Sequence, residues 1–495
     1  MQELKEFYSQ EPAWSASDFD PRAEIATIEV PLDYTRPDAD RITLAISRIK
    51  CTDPAKRRGI LLSLNGGPAG NWGMGVKLPL RFAHTPLAEH YDLIGMDPRG
   101  TGRSTPLYCE YPELKAGFNT RPADADFATI ADDVRRINEG CAKTGGALRE
   151  QITSANLARD IDVVRGVLGE EKLTYVGYGD PTYNGAVYGT MFPSRVDRMV
   201  LDSSRNPEVG WRGQFHSQVT AVYENVDAWA EWVSRRDIRF GLGTTKEAVL
   251  AAAEEAAFRT YTPAFDVAMG TGTTYRPLWA VLADAVGQLR QPAGEEAAAD
   301  AHAATQKLAG LDAWAPREPT ELVQSVTEAA TCEDEWPTDL ESYFADMRVA
   351  REKYPYGYGV LRFQPQTGTF WTGRTMEKPP YIKREGYEPG IVVHGIGNTM
   401  LRHAGGEAMA KRLGFSLISV TDEGQNEIFA VRGYQEVDDH VYRYLIDGVR
   451  PPERVTIAGP SRPDIAPDAE GGTTGSGAGT LVAQIDQWVS ANRRW

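Results

Sequence analysis

Residues 173–189, LTYVGYGDPTYNGAVYG, leave the chain little choice but a strand that breaks sharply into a helix. Leu173, Tyr175 and Val176 are β-formers, while the run 177–181 carries the glycines and proline that a strained turn needs. Beyond it, Gly185, Ala186 and Gly189 keep one helical face small enough to lie close on a sheet. The residue at the corner is Gly179, so the corner presents no side chain of its own.

The flanking chain supplies the rest of a sheet. Residues 23–50 alternate as two paired strands. GILLSL (59–64), YDLIGM (91–96), RMVLD (198–202), GIVVH (390–394) and FSLISV (415–420) are short continuous apolar runs, as expected of strands buried on both faces. Helical spacing is found at 127–141, 154–168 and 406–413, so strands alternate with helices. That pattern predicts a mostly parallel sheet with helices on both faces. GILLSL runs into Asn65-Gly66-Gly67-Pro68-Ala69-Gly70, a loop able to point backbone N–H groups into a site. The charged turn 97–104 is expected to brace loops through Asp97 with Arg99 or Arg103.

Composition shifts after Asn206. Helical stretches at 219–233, 246–261 and 297–311, separated by loops at 241–245 and 270–274, predict a helical insertion over 209–358. The expected organisation is a core in two parts, 1–208 and 359–455, then a flexible linker at 456–479 and a terminal helix at 480–495. That helix carries an apolar stripe of Leu481, Ile485, Trp488 and Val489, which suits packing on the body or a homodimer contact.

The net charge of −16 disfavours nucleic acid and anionic membranes as partners. No apolar run is long enough for a membrane span, and residues 1–19 show no export signal, so a cytoplasmic location is expected. The four cysteines form no CxxC pair; free thiols, no metal and no cofactor are expected.

Several motifs together resemble the tripeptidyl aminopeptidase-like branch of the α/β-hydrolases, relatives of the prolyl iminopeptidases. They are VPLDY (30–34), NGGPAG (65–70), YDLIGMDPRGTGRSTP (91–106), NLARDIDVVRGVLGEEKLTYVGY (156–178), YGTMFPSRVDRMVLDS (188–203) and TCEDEWP (331–337). The resemblance implies an α/β-hydrolase fold, an inserted helical cap, a site between core and cap, and a disulfide position at Cys109 and Cys141. It also implies a serine, an acid and a histidine in that order. These fall on Gly179, Asn398 of the turn 395–398 and Gln425 of the turn 424–426.

Losing triad members typically costs about a million-fold in rate. The three replacements therefore predict a non-hydrolytic biosynthetic enzyme, a cyclase, isomerase or lyase, acting on a carbonyl-bearing small molecule or peptide-like metabolite. A non-catalytic binding or carrier protein and a hydrolase with a relocated nucleophile are the alternatives. Asp180 and His394 are the candidate catalytic bases, although an Asp before Pro181 is also what a helix N-cap calls for. Asn65, Gly66, Gly67, Trp72, Tyr178, Gly179, Tyr183, Asn398, Gln425 and Asn426 are the candidate ligand-binding residues.

Overall fold

The computed structural model describes residues 4–70, 75–311, 320–473 and 479–492; Trp72 lies outside them. Ten strands form one sheet: β1 (Ser15–Ala16), β2 (Ala23–Pro31), β3 (Arg41–Ile49), β4 (Ile60–Leu64), β5 (Asp92–Met96), β6 (Leu173–Tyr178), β7 (Val196–Asp202), β8 (Ile391–Gly395), β9 (Ser416–Val420) and β10 (Arg454–Ile457). Their order is β1-β2-β3-β5-β4-β6-β7-β8-β9-β10. The first strands pair antiparallel, and every pairing from β5–β4 to β9–β10 is parallel.

Alternation along the central strands divides the core between the two faces of the sheet. Leu62, Tyr175, Leu201, Val392 and Leu417 pack on one side; Leu61, Val176, Val200, Val393 and Ile418 pack on the other. Because the central strands run parallel, the loops after β4, β6, β7, β8 and β9 converge on one edge, where ligands of open α/β sheets bind. Helices Ser154–Val167 and Pro181–Met191 cover one face. Thr153 caps the former, accepting from the Asn156 N–H at 3.1 Å.

The insertion builds its own core from helices that include Trp211–Ser234, Lys246–Ala257, Thr262–Thr274, Trp279–Arg290 and Glu295–Ala309. Residues 270–274, expected as a loop, are the closing turn of a buried helix. Their small side chains serve contact: a Cβ on Gly270 would lie 2.7 Å from the Gly357 Cα. Helix Leu481–Asn492 docks here as well. Leu481 and Ile485 are buried in the same cluster, Trp488 meets Tyr275 edge-on at 5.0 Å, and Lys307 pairs with Asp486.

Four further expectations change. The segment from 456 is no free linker where it is described. β10 crosses its start and pairs with β9, Arg462 pairs with Asp422, and the Asp468 N–H bonds to the Arg235 carbonyl. Arg99 is paired not with Asp97 but with buried Asp160, through two bonds of 2.7 Å. The expected alternative, Arg103, does meet Asp97, which accepts its backbone N–H and that of Val76, both at 2.9 Å. Cys109 and Cys141 are disulfide-bonded rather than free thiols. A bond of this kind persists in oxidising compartments and runs against the cytoplasmic expectation. Among the described residues no helix is long and apolar enough to cross a membrane.

Candidate active site

β6 ends at Tyr178, Gly179 turns at φ 65°, and the helix begins at Pro181. The turn needs glycine neighbours because helix and strand nearly touch: a Cβ on Gly177 would stand 2.8 Å from the Pro181 carbonyl oxygen. Gly179 itself is roomier. A Cβ there would meet nothing nearer than the Gly66 Cα at 3.4 Å and the Leu401 Cδ1 at 3.8 Å. Its N–H is held by the Asp202 carbonyl at 2.9 Å.

The glycine-rich loop faces this corner. Gly67, Ala69 and Gly70 all take positive φ, and the Gly70 N–H closes the turn on the Gly67 carbonyl at 2.9 Å. The Ala69 N–H donates to Asp180 Oδ2 at 3.2 Å, and Arg205 Nη1 donates to Asp180 Oδ1 at 3.3 Å. Asp180 therefore does not cap its helix: its own backbone is helical and its side chain makes no capping bond. Burial pushes its carboxyl above the usual range, with Arg205 and the Ala69 N–H opposing.

Arg205 is the centre of a buried charge cluster. Its guanidinium lies 3.3 Å from Asp180, 3.5 Å from Asp334 and 4.0 Å from Glu333, stacked over Trp211 at 4.0 Å and Tyr183 at 4.4 Å. Its Nε finds no partner among the described residues. Glu333 accepts the Ser154 N–H and hydroxyl, both at 2.8 Å, and burial raises its carboxyl to about 7. Asp334 accepts the Trp211 N–H at 2.6 Å, which fixes the first turn of the cap.

The other expected residues divide. Asn398 and Asn426 meet, Nδ2 to Oδ1 at 2.6 Å, while the Asn398 Oδ1 accepts the Met400 and Leu401 N–H groups at 3.0 and 2.9 Å. Gln425 is half-buried beside them, its N–H bonded to Glu423. Asn65, Gly66 and Gly67 line the loop. Tyr178 points away from the corner: it is fully buried, donates to the Phe429 carbonyl at 3.0 Å and lies beneath Arg81. Tyr183 is spent on Arg205.

His394 is held elsewhere too. It is fully buried with its ring nitrogens 3.0 and 3.3 Å from the Gly395 and Ser204 carbonyls, on the side packed against Gly406. Burial lowers its pKa to about 4, so the ring is neutral.

Asp202 and Ser203 were not singled out from the sequence. Ser203 adopts φ 59°, a strained value for a residue with a Cβ. Its hydroxyl donates to Asp202 Oδ1 at 2.8 Å and accepts the Glu427 N–H at 3.2 Å. Asp202 also accepts the Ile428 and Phe429 N–H groups at 2.9 and 2.6 Å, and burial raises its carboxyl to about 7. Tyr178 and Asp202 are register partners and the Gly179 N–H donates to the Asp202 carbonyl, so Ser203 follows directly on the residue that pairs with the end of β6. The DSS of RMVLDSS, polar residues closing an apolar strand, was the available signal.

The α/β-hydrolase fold family matches residues 59–254, from β4 through the corner into the cap. The strand order, the corner and the converging loops agree. This chain is an α/β-hydrolase-fold protein. Tripeptidyl aminopeptidase of Streptomyces lividans is 29% identical over 456 residues, covering 87% of this chain and 83% of that one. Serine protease Hip1 of Mycobacterium tuberculosis is 27% identical over 462 residues, covering 86% and 85%. Carboxylesterase B of Mycobacterium tuberculosis is 28% identical over 464 residues, covering 88% and 86%. These relatives overturn the expectation of a non-hydrolytic cyclase, isomerase or lyase. The likeness runs through core and cap alike, and the relatives' names are those of hydrolytic enzymes. Three replaced motif positions count for less than a likeness that spans 87% of the chain.

Proposed function

We propose that the chain is a hydrolase of peptide-like amides bearing a free, protonated amino group. One observation carries the reading. Beside the corner a single buried guanidinium, Arg205, faces three carboxyl groups, Asp180, Glu333 and Asp334. Buried charge is tolerated when it is paired, and here three acids share one cation, with burial pushing Asp180 and Glu333 toward their protonated forms until a second cation arrives. A substrate ammonium group supplies the missing cation, in keeping with relatives named tripeptidyl aminopeptidase.

Gly179 brings no hydroxyl to this chemistry, and the Thr182 hydroxyl is committed to the Gly179 carbonyl at 2.6 Å; Ser203, one residue past the strand partner of Tyr178, carries its hydroxyl on a buried carboxyl. In this reading the Ser203 Oγ attacks the carbonyl carbon as its proton passes to Asp202. The protonated carboxyl returns that proton to the leaving nitrogen as the C–N bond breaks, and water repeats the sequence on the acyl-serine. A carboxyl poised near neutrality suits both halves of that exchange. Access requires the loop carrying Glu427, whose N–H covers the hydroxyl, to draw back.

The test is turnover of a tripeptide anilide with a free amino group against its N-acetyl counterpart. Preferential cleavage of the free amine is expected; no cleavage of either, or equal cleavage of both, sinks the reading.

A further inference from the structure

One amide of the glycine-rich loop, that of Ala69, is occupied by one of the carboxylates that crowd Arg205. Asp180 bridges the two, with the Ala69 N–H on one oxygen and the Arg205 guanidinium on the other. Both contacts, 3.2 and 3.3 Å, are long for hydrogen bonds to a charged group, which usually fall near 2.7–2.9 Å. The reason is visible in the surroundings. Arg205 is divided among three carboxyl groups and two aromatic faces, and its Nε is unpartnered among the described residues. No single acid has full use of the cation.

We propose that Arg205 and Asp180 are positioning residues that couple occupation of the amine subsite to release of the Ala69 N–H toward the substrate carbonyl. This rests on the amine-binding reading above. An ammonium group at Glu333 and Asp334 satisfies those carboxylates, and Arg205 then turns wholly to Asp180. Asp180, drawn to the guanidinium, lets go of the Ala69 amide, which becomes a free donor in a loop already shaped for an oxyanion. No covalent step is involved. The device makes the amine act on catalysis as well as on binding: a substrate without it binds a site whose donor is still capped.

The experiment compares kcat and KM for the free and N-acetylated tripeptide anilides in the wild type, Asp180→Asn and Glu333→Gln. A donor aimed at a developing oxyanion is typically worth about a hundredfold in kcat. The wild type is expected to favour the free amine by that order in kcat, and in KM as well. Asp180→Asn, whose amide holds no charge for Arg205 to draw on, should erase the kcat preference and keep the KM preference. Glu333→Gln should weaken both. An undiminished kcat preference in Asp180→Asn overturns the coupling while leaving amine recognition intact.

Hydrogen exchange of the loop at residues 65–70, with a non-cleavable tripeptide amide bound, gives a readout free of turnover. Exchange at Ala69 should rise on binding in the wild type and not in Asp180→Asn. A bound peptide amide that leaves wild-type Ala69 unchanged defeats the coupling even where hydrolysis is observed. Failure of the amide to bind defeats both readings together.

Discussion

Asn398 Nδ2 donates to Asn426 Oδ1 at 2.6 Å, tying the loop after β8 to the loop after β9. The same Asn398 side chain accepts two backbone N–H groups and so sets Leu401, the side chain that faces Gly179. Replacing it with an apolar isostere, Asn398→Leu, strands those buried groups. The expected loss is about 3 kcal/mol of folding stability, read by denaturant unfolding. Asn398→Asp keeps both backbone acceptances and should cost less than half as much.

Ser203 and Asp202 make a pair that chemistry can interrogate directly. Ser203→Ala should abolish amide turnover while leaving peptide binding measurable by calorimetry, and a fluorophosphonate should label residue 203 in the wild type. Full activity in Ser203→Ala, or a label found only elsewhere, removes Ser203 as the attacking group.

The Asp202 carboxyl also has a signature in stability. Its folded-state pKa, about 7, lies above the ordinary aspartate value of 3.8. The folded protein therefore holds a proton that the unfolded chain releases, and stability falls as pH rises between those values. The slope from this one group is at most about 1.4 kcal/mol per pH unit. Asp202→Asn should remove that share of the slope, so wild type and variant diverge from pH 4 to 7, with the variant gaining as pH rises. Parallel curves would show that Asp202 does not carry the proton.

The corner has room for a side chain but not a relaxed backbone for one. Gly179→Ser should fold, since its Cβ makes ordinary contacts at 3.4 and 3.8 Å. The positive φ costs roughly 1–2 kcal/mol. Denaturant titration checks the cost, and a second fluorophosphonate label at residue 179 checks that the new hydroxyl faces the site.

Of the four cysteines, Cys51 and Cys332 are free and the other two are bonded across 32 residues of chain. Thiol titration of the denatured, unreduced protein should find Cys51 and Cys332 alone. Closing a loop of that length is worth about 4 kcal/mol, so Cys141→Ser should lose a similar amount.

The sheet was legible because strands buried on both faces write continuous apolar runs, and GILLSL or FSLISV can be little else. The corner was legible because Gly177 marks where two backbones nearly touch and Gly185 leaves room for the Tyr175 ring. The capping alternative for Asp180 fails because local position does not decide a side chain with distant partners: Ala69 lies 111 positions away along the chain. Arg205 with Glu333, and Ser203 with Glu427, are likewise joined only by the fold, and no spacing announces them. β10 was lost because four residues between prolines carry too little pattern.

Helix Leu481–Asn492 places Leu481 and Ile485 inside the cap, more than a hundred residues after the cap's other large helices have been made. On the ribosome, then, that domain waits with a wet seam along its interior until the helix emerges. Chaperone demand during synthesis should concentrate in that interval, and a tag or truncation at this helix should disturb the cap well before it disturbs the sheet.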